Sequence, residues 1–266
     1  MLLRQFLANL CIHLEKLVKV FHYIMNSSPT RPNAIITGAG SGIGRATSLA
    51  FARAGINIAL VGRSLKSLED VAKESAKEGI KVKPYVIDLD QLDMVSIQIQ
   101  KIVSDFNGID IIVNNAGMGY TNLLRETSLT DWQRVLDLNL TSVFQCVQGV
   151  LPYMRKHMKG TIVNISSIAA TNVFSNWGAY SVSKAALLSF SKILAEEERS
   201  KGIRVTTIIP GAVNTPIWDT ITVQEDFERT AMLSPDLVAQ TILQVALLPI
   251  EANIEEITIL PSSGNF

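Results

Sequence analysis

A chain of 266 residues has room for one large α/β domain or two small ones. Hydrophobic residues make up 47% and charged residues 18%, the balance of an ordinary globular protein with a large core. Lysine plus arginine and aspartate plus glutamate both number 24, so the formal net charge is zero and the pI is about 6.8. No basic field is available to gather nucleic acid, and small, roughly neutral substrates fit better than polyanions.

In the first 30 residues Leu3, Phe6, Leu7, Leu10, Leu14, Leu17, Val18 and Phe21 recur at intervals of three and four, an amphipathic helix pattern. The longest uncharged run, residues 5–14, is too short to span a bilayer, and the charges of Glu15, Lys16 and Lys19 end it. No small-residue cleavage site comes after it, which argues against a secretory signal. Three readings stand: residues 1–25 rest on a membrane surface or partner, the segment docks on its own domain or subunit, or Met25 is the true start. The domain proper occupies residues 31–266. The two cysteines, Cys11 and Cys146, lie far apart and rule out a disulfide framework, which suits a reducing, cytoplasmic compartment. Cys146, in Val-Phe-Gln-Cys-Val, reads as a small buried hydrophobe. His13, His22 and His157 have no acidic or thiol neighbours at ligand spacing, so no metal site is expected.

From Asn33 onward short β-rich apolar runs alternate with longer helical patterns. Strands are predicted over 34–37, 58–61, 82–87, 109–113, 161–165, 205–209 and 256–260. Helices are predicted notably over 44–54, 65–78, 131–158, 179–201 and 235–247. Such alternation predicts one doubly wound parallel sheet of seven strands with helices on both faces, a Rossmann-type α/β fold. Ligands then bind outside the carboxyl ends of the strands, so the loops at those ends are the place to look for a site.

The first of these loops is Thr37-Gly38-Ala39-Gly40-Ser41-Gly42-Ile43-Gly44. Glycines this dense let backbone N–H groups and the next helix's N-terminus approach a pyrophosphate. The second strand ends in Gly62-Arg63-Ser64 without the acid that usually accepts from the ribose 2′-hydroxyl of NAD. Arg63, helped by Ser64, suits an adenosine 2′-phosphate instead, so NADP(H) is favoured. After the third strand, in Ile87-Asp88-Leu89-Asp90, Asp88 is placed to hydrogen-bond an adenine amine, and Asp90 reads as the cap of the next helix. The fourth strand runs into Asn114-Asn115-Ala116-Gly117, small residues and amides suited to packing against a cofactor.

Asn164-Ile165-Ser166-Ser167 comes after the fifth strand, where a hydroxyl can steady a developing alkoxide. Thirteen residues after Ser167, Tyr180-Ser181-Val182-Ser183-Lys184 opens a helix, and the spacing of four puts Tyr180 and Lys184 on one face, a turn apart. A phenol titrates at about 10; a nearby ammonium favours phenolate, so the pair can give or take a proton. The sixth strand ends in Pro210-Gly211-Ala212-Val213-Asn214-Thr215, again at the carboxyl edge.

Together, in this order, these motifs resemble the short-chain dehydrogenase/reductase family over about residues 33–260. The resemblance implies a catalytic set of Asn139, Ser167, Tyr180 and Lys184. Tyr180 would be the general acid/base, and Lys184 would lower its pKa and bind the nicotinamide ribose. Ser167 would orient the substrate, and Asn139 would hold a water that extends a proton relay. Ser166 matches a structural position. For the cofactor it implies Thr37, Gly38, Ser41, Gly42, Ile43 and Gly44 at the diphosphate; Arg63 and Ser64 at the 2′-phosphate; and Asp88, Leu89, Asn115, Ala116 and Gly117 along the adenosine half. Pro210, Gly211, Val213 and Thr215 would lie by the nicotinamide. The implied activity is hydride transfer between NADP(H) and a carbonyl or secondary alcohol of a small, apolar substrate, in a homodimer or homotetramer packed through the two long helices.

Residues 121–126, 171–177 and 217–233 are expected to wall the substrate pocket, with Trp177, Phe174, Trp218 and Met232 as lining or as packing. The tail from Glu255 to Gly264 departs from the Val-Asp-Gly-Gly ending of bacterial 3-oxoacyl-carrier-protein reductases, which the core otherwise resembles. A 3-oxoacyl thioester reductase is the alternative. A catalytically idle nucleotide-sensing protein is a remote one, since all four residues of the set are present.

Overall fold

The strands carry apolar residues at consecutive positions because both faces of their sheet are covered. In a computed structural model, which describes residues 31–224, 228–262 and 264, seven strands form one parallel sheet. They are β1 (Asn33–Thr37), β2 (Asn57–Gly62), β3 (Val82–Val86), β4 (Ile111–Asn114), β5 (Gly160–Ile165), β6 (Ile203–Pro210) and β7 (Glu256–Ile259). Their order is β3-β2-β1-β4-β5-β6-β7. The readings made of the N-terminal segment, and of Cys11, lie outside the described residues.

The helices are α1 (Gly42–Arg53), α2 (Leu65–Ser75), α3 (Leu92–Asp105), α4 (Leu129–Leu136), α5 (Ser142–His157), α6 (Gly178–Glu198) and α7 (Pro235–Ala246). Successive strand residues point to opposite faces. Ile36, Leu60, Val113 and Ile208 therefore meet Phe51 of α1, Leu68 of α2 and Ile242 of α7. Their neighbours Ile35, Val61, Ile112 and Val205 meet Ile99 of α3, Met154 of α5 and Leu194 of α6. Truncating one of these fully buried side chains to alanine costs about 2–5 kcal/mol, because the cavity collapses only in part.

The helix termini obey their capping residues. Ser64 accepts from the Ser67 N–H at the start of α2, and Ser234 accepts from the Leu237 N–H ahead of Pro235 in α7. Asp90, expected to cap α3, does not: the N-cap is Gln91, without a side-chain bond, and the Asp90 N–H instead donates to Asp88 Oδ1 at 3.2 Å. The helix expected over 131–158 is broken by a π-helical turn, Asp137–Thr141, between α4 and α5. Below it the long helices α5 and α6 are tied by Arg155, whose guanidinium grips the fully buried Glu198 carboxylate at two points.

Cys146 is 1% exposed, and burial pushes its thiol up to about 12. It stays protonated at neutral pH and serves as a small apolar group, as its sequence setting predicts. No helix among the described residues is long and apolar enough to cross a membrane. The sheet order reverses at β1, with β2 on one side and β4 on the other. A crevice opens there, outside the carboxyl ends of the strands.

Candidate active site

The crevice is a cleft of about 450 Å³. All the residues expected at the catalytic and cofactor positions line it except Thr37, Gly44, Asp88 and Asn139. Three of these four sit beneath it and shape it. None of Trp177, Phe174, Trp218 and Met232, expected as pocket lining or as packing, is among the lining residues.

Thr37 closes β1 and locks the switch point. Its Oγ1 accepts from the N–H groups of Asn115 and Ala116, both at 3.0 Å, and Asn115 Nδ2 donates back to the Thr37 carbonyl at 2.9 Å. Gly38 and Gly42 turn the chain with φ of +64° and +50°, a region costly for residues with a Cβ. Gly44 is required by proximity: a Cβ there would stand 2.2 Å from the Gly38 carbonyl oxygen and 2.5 Å from Asn115 Nδ2. Any side chain at 44 would push α1 off the loop. The N-cap of α1, Ser41, makes no side-chain cap bond, and the first turn carries no acid. The N–H groups of that turn therefore face the cleft available to an anion.

Arg63 is exposed, lines the cleft, and makes no ion pair with any described residue. Arg45, by contrast, is engaged by Glu74 at 2.7 Å. Ser64, beside Arg63, spends its hydroxyl capping α2. Asp88 is exposed and outside the lining, where its neighbours Ile87 and Leu89 present apolar surface instead.

At the other end of the cleft α6 delivers Tyr180 and Lys184, and the loop after β5 delivers Ser167. The Ser167 hydroxyl accepts from the Ala169 N–H at 3.2 Å and hydrogen-bonds the Tyr180 phenol. Lys184 is 5% exposed, and its Nζ donates to the Ile165 carbonyl at 2.9 Å, 5.8 Å from the centre of the Tyr180 ring. Burial lowers the Lys184 ammonium to about 8. Burial also raises the Tyr180 phenol, opposed by the Ser167 bond. The sequence led us to expect an ammonium that pulls the phenol down. In the structure the Lys184 charge is turned to a carbonyl, and desolvation wins. Ser166 holds the floor together through a bond from its hydroxyl to the Lys184 carbonyl at 3.1 Å.

Asn139 is fully buried in the π-helical turn. Such a turn inserts one residue and rotates the side chain inward. Its Oδ1 accepts from Met118 N at 2.8 Å, while its Nδ2 donates to the Met118 carbonyl and to Ser183 Oγ, both at 3.0 Å. A Cβ on Gly117 would lie 2.9 Å from Asn139 Oδ1 and 3.5 Å from Lys184 Nζ. Both polar groups thus face one small space that only a glycine leaves open. Asn139 clamps the 116–118 loop directly.

Ile217 and Thr220 come from the 217–233 segment expected to wall the pocket, whereas several other lining residues escaped the sequence reading, among them Ser67, Met118 and Leu138. Arg229 also escaped it: its guanidinium reaches Asn214 Oδ1 and the Thr215 carbonyl, both at 3.0 Å, and pairs with Asp219. This one side chain holds the loop that carries Val213 and Thr215. Nothing in its sequence setting marks it.

Residues 32–226 match the family model described as short chain dehydrogenase. A 3-oxoacyl-[acyl-carrier-protein] reductase from Thermotoga maritima is 36% identical over 222 residues, covering 80% of this chain and 89% of that protein. Among solved structures, an alcohol dehydrogenase from the archaeon Thermococcus sibiricus, complexed with 5-hydroxy-NADP, superposes with a TM-score of 0.80. It is 26% identical and covers 88% of this chain and 97% of its own. The acetoin dehydrogenase YohF from Salmonella typhimurium gives 0.79 at 25% identity, covering 87% and 95%.

Proposed function

This chain belongs to the short chain dehydrogenase family, and from that premise we propose that it moves a hydride between NADP(H) and a carbonyl or secondary alcohol carbon of a small, apolar substrate. One observation carries the reading. Ser167, Tyr180 and Lys184 converge at one end of a cleft whose other end is the glycine loop and Arg63.

The residues present fit the cofactor. The diphosphate would take the N–H groups at the start of α1, and the 2′-phosphate would take the Arg63 guanidinium. No carboxylate lines the cleft among the described residues, so nothing there favours the bare ribose hydroxyl of NAD. The Thermococcus sibiricus structure, similar over 88% of this chain, holds an NADP derivative.

When bound, the reduced dinucleotide supplies hydride to a carbonyl carbon. Ser167, its own oxygen already engaged by the Ala169 N–H, directs its proton at the carbonyl oxygen and steadies the growing negative charge. Tyr180, kept protonated by burial, gives its proton to that oxygen, and the product is the alcohol. Lys184 supplies the positive charge that stabilises the phenolate left behind and holds the ribose beside it. Asn139 acts as a positioning residue through Met118. In the reverse direction Tyr180 accepts the alcohol proton as hydride leaves the carbon.

A 3-oxoacyl thioester reductase is the second reading, favoured by the likeness to the Thermotoga maritima protein. Residues 31–266 constitute the catalytic domain in either case, in a homodimer or homotetramer built on α5 and α6 in the cytoplasm. Light scattering on the purified chain tests the assembly. Titration with NADPH, and then its oxidation with ketones, aldehydes and acetoacetyl thioesters, tests the function. Saturable NADPH binding with turnover of simple carbonyls is expected, and turnover of thioesters alone would move the assignment to the second reading.

A further inference from the structure

Tyr180 lines the cleft, and beside it two further rings, outside the cleft lining itself, continue toward solvent. The Trp177 ring meets that of Tyr180 edge-on, with centroids 5.2 Å apart and planes at 69°. Trp177 meets Trp218 in the same manner at 5.7 Å and 67°. Three rings thus run from the reacting hydroxyl to the loop after β6. The Trp218 indole N–H donates to the Val213 carbonyl at 2.8 Å, which fixes the ring against the cleft loop.

The loops that carry these rings are stitched together by backbone. Thr121 N donates to the Thr222 carbonyl at 2.8 Å, Thr222 Oγ1 to the Gly119 carbonyl at 2.7 Å, and Asn122 N to the Asn176 carbonyl at 2.7 Å. Three distant segments therefore hold one rim, and the wall is preformed. Met118, Val213 and Ile217 add apolar surface to it, and Ile221 at the rim is 91% exposed.

No carboxylate lines this half among the described residues. Among the described residues only Arg63 and Lys184 bring charge to the cleft lining. Arg63 faces the nucleotide end, and Lys184 lies buried on the Ile165 carbonyl. A substrate carboxylate or phosphate near the reacting carbon would lose its hydration and meet no counter-charge.

Resting on the hydride-transfer reading, we propose that this site selects uncharged ketones, and the matching secondary alcohols, that carry an aromatic ring close to the carbonyl. Trp177 and Trp218 are the specificity-determining residues. Offset and edge-on ring pairs at these spacings are attractive beyond the area they bury, so a substrate ring extends the run already formed by the protein.

The test is NADPH oxidation by the full chain with 1-phenylpropan-2-one, butan-2-one and acetoacetate, with NADPH affinity read by nucleotide fluorescence. The wild-type kcat/KM is expected to be at least about 30-fold higher for the aryl ketone than for either other substrate. Trp177→Ala is expected to lower the aryl-to-butanone ratio about tenfold, mainly through KM. Trp218→Ala should do the same, and Trp218→Phe, which keeps a ring, should lose less than about threefold. Acetoacetate reduced as well as the aryl ketone, or equal losses on all substrates in Trp177→Ala with NADPH affinity retained, would overturn this inference and leave hydride transfer standing. NADPH bound but no ketone reduced would remove both.

Discussion

The two halves of the cleft are made of different materials. The nucleotide half is made of backbone: glycines at 38, 42 and 44, the open first turn of α1, and the Thr37–Asn115 bonds that lock β1 to β4. The substrate half is made of side chains on three loops brought together across the chain, as in the Thr222–Gly119 bond between residues 103 apart. Phosphates are alike in every dinucleotide, so peptide N–H groups and a turn of fixed shape recognise them. A carbonyl substrate is recognised by the surfaces around it, and these can change without disturbing the sheet. Between the halves, Tyr180 and Lys184 stand on α6 and Ser167 on the short loop directly after β5.

That contrast breaks most severely at Lys184, which serves both halves. Lys184→Met is expected to lower turnover by about 10³-fold. It should also stabilise the cofactor-free fold. The Lys184 pKa, depressed from 10.5 to about 8, implies that the buried charge costs about 3 kcal/mol. The sign comes from proton uptake: between pH 8 and 10.5 the unfolded chain holds more protons at this group than the folded one. The cost is thus complete below pH 8 and fades toward 10.5. Thermal unfolding at pH 7 should show a higher Tm in Lys184→Met than in the wild type, with the gap narrowing at pH 10.

The same two groups set the pH profile. Tyr180 is raised, so its proton is present for reduction throughout the neutral range. Ketone reduction, read as kcat/KM, should be flat below about pH 8 and fall above it as Lys184 loses its charge. Alcohol oxidation, which needs the phenolate beside a charged Lys184, should rise with pH up to about 8 and level off above it. A reduction rate that falls from pH 8 toward pH 6 would contradict the assignment of the proton donor.

A smaller effect separates the halves cleanly. Arg63→Ala is expected to raise the Kd for NADPH about 10- to 100-fold, the worth of a charge-assisted bond to phosphate. It should change NADH affinity by less than about threefold and leave the ketone KM at saturating NADPH unmoved. Equal losses for the two nucleotides would mean that another group reads the 2′-phosphate.

Legibility in the sequence divided along the same line. The glycine loop, Arg63, Asn115, Ser167 and the Tyr180–Lys184 pair could be read because each element is contiguous and its chemistry demands those residues. α3 was not named. Its stretch Val95-Ser96-Ile97-Gln98-Ile99-Gln100 alternates apolar and polar residues like a strand, yet the buried positions are Val95, Ile99 and Ile102, a helical spacing. Its start was read only from Asp90 as a cap, one residue ahead of the Gln91 N-cap, and its extent was left unstated. The π-helical turn at Asn139 was also invisible, although a polar residue between Leu138 and Leu140 in a helical run is the trace it leaves. Asp88 was read from its position after β3 alone; its carboxylate accepts from the Asp90 N–H and lies outside the cleft lining. The rim, and Arg229 beneath it, depend on tertiary contacts over long separations that no local pattern records.

The central claim is that the Tyr180 hydroxyl is the proton donor and nothing else in the cleft replaces it. Tyr180→Phe removes one oxygen from a half-buried ring and leaves the glycine loop and Arg63 untouched. NADPH titration and ketone reduction measured on the same preparation should show nucleotide affinity within about twofold of wild type and kcat lower by about 10³-fold. Turnover retained at the wild-type rate would contradict the account.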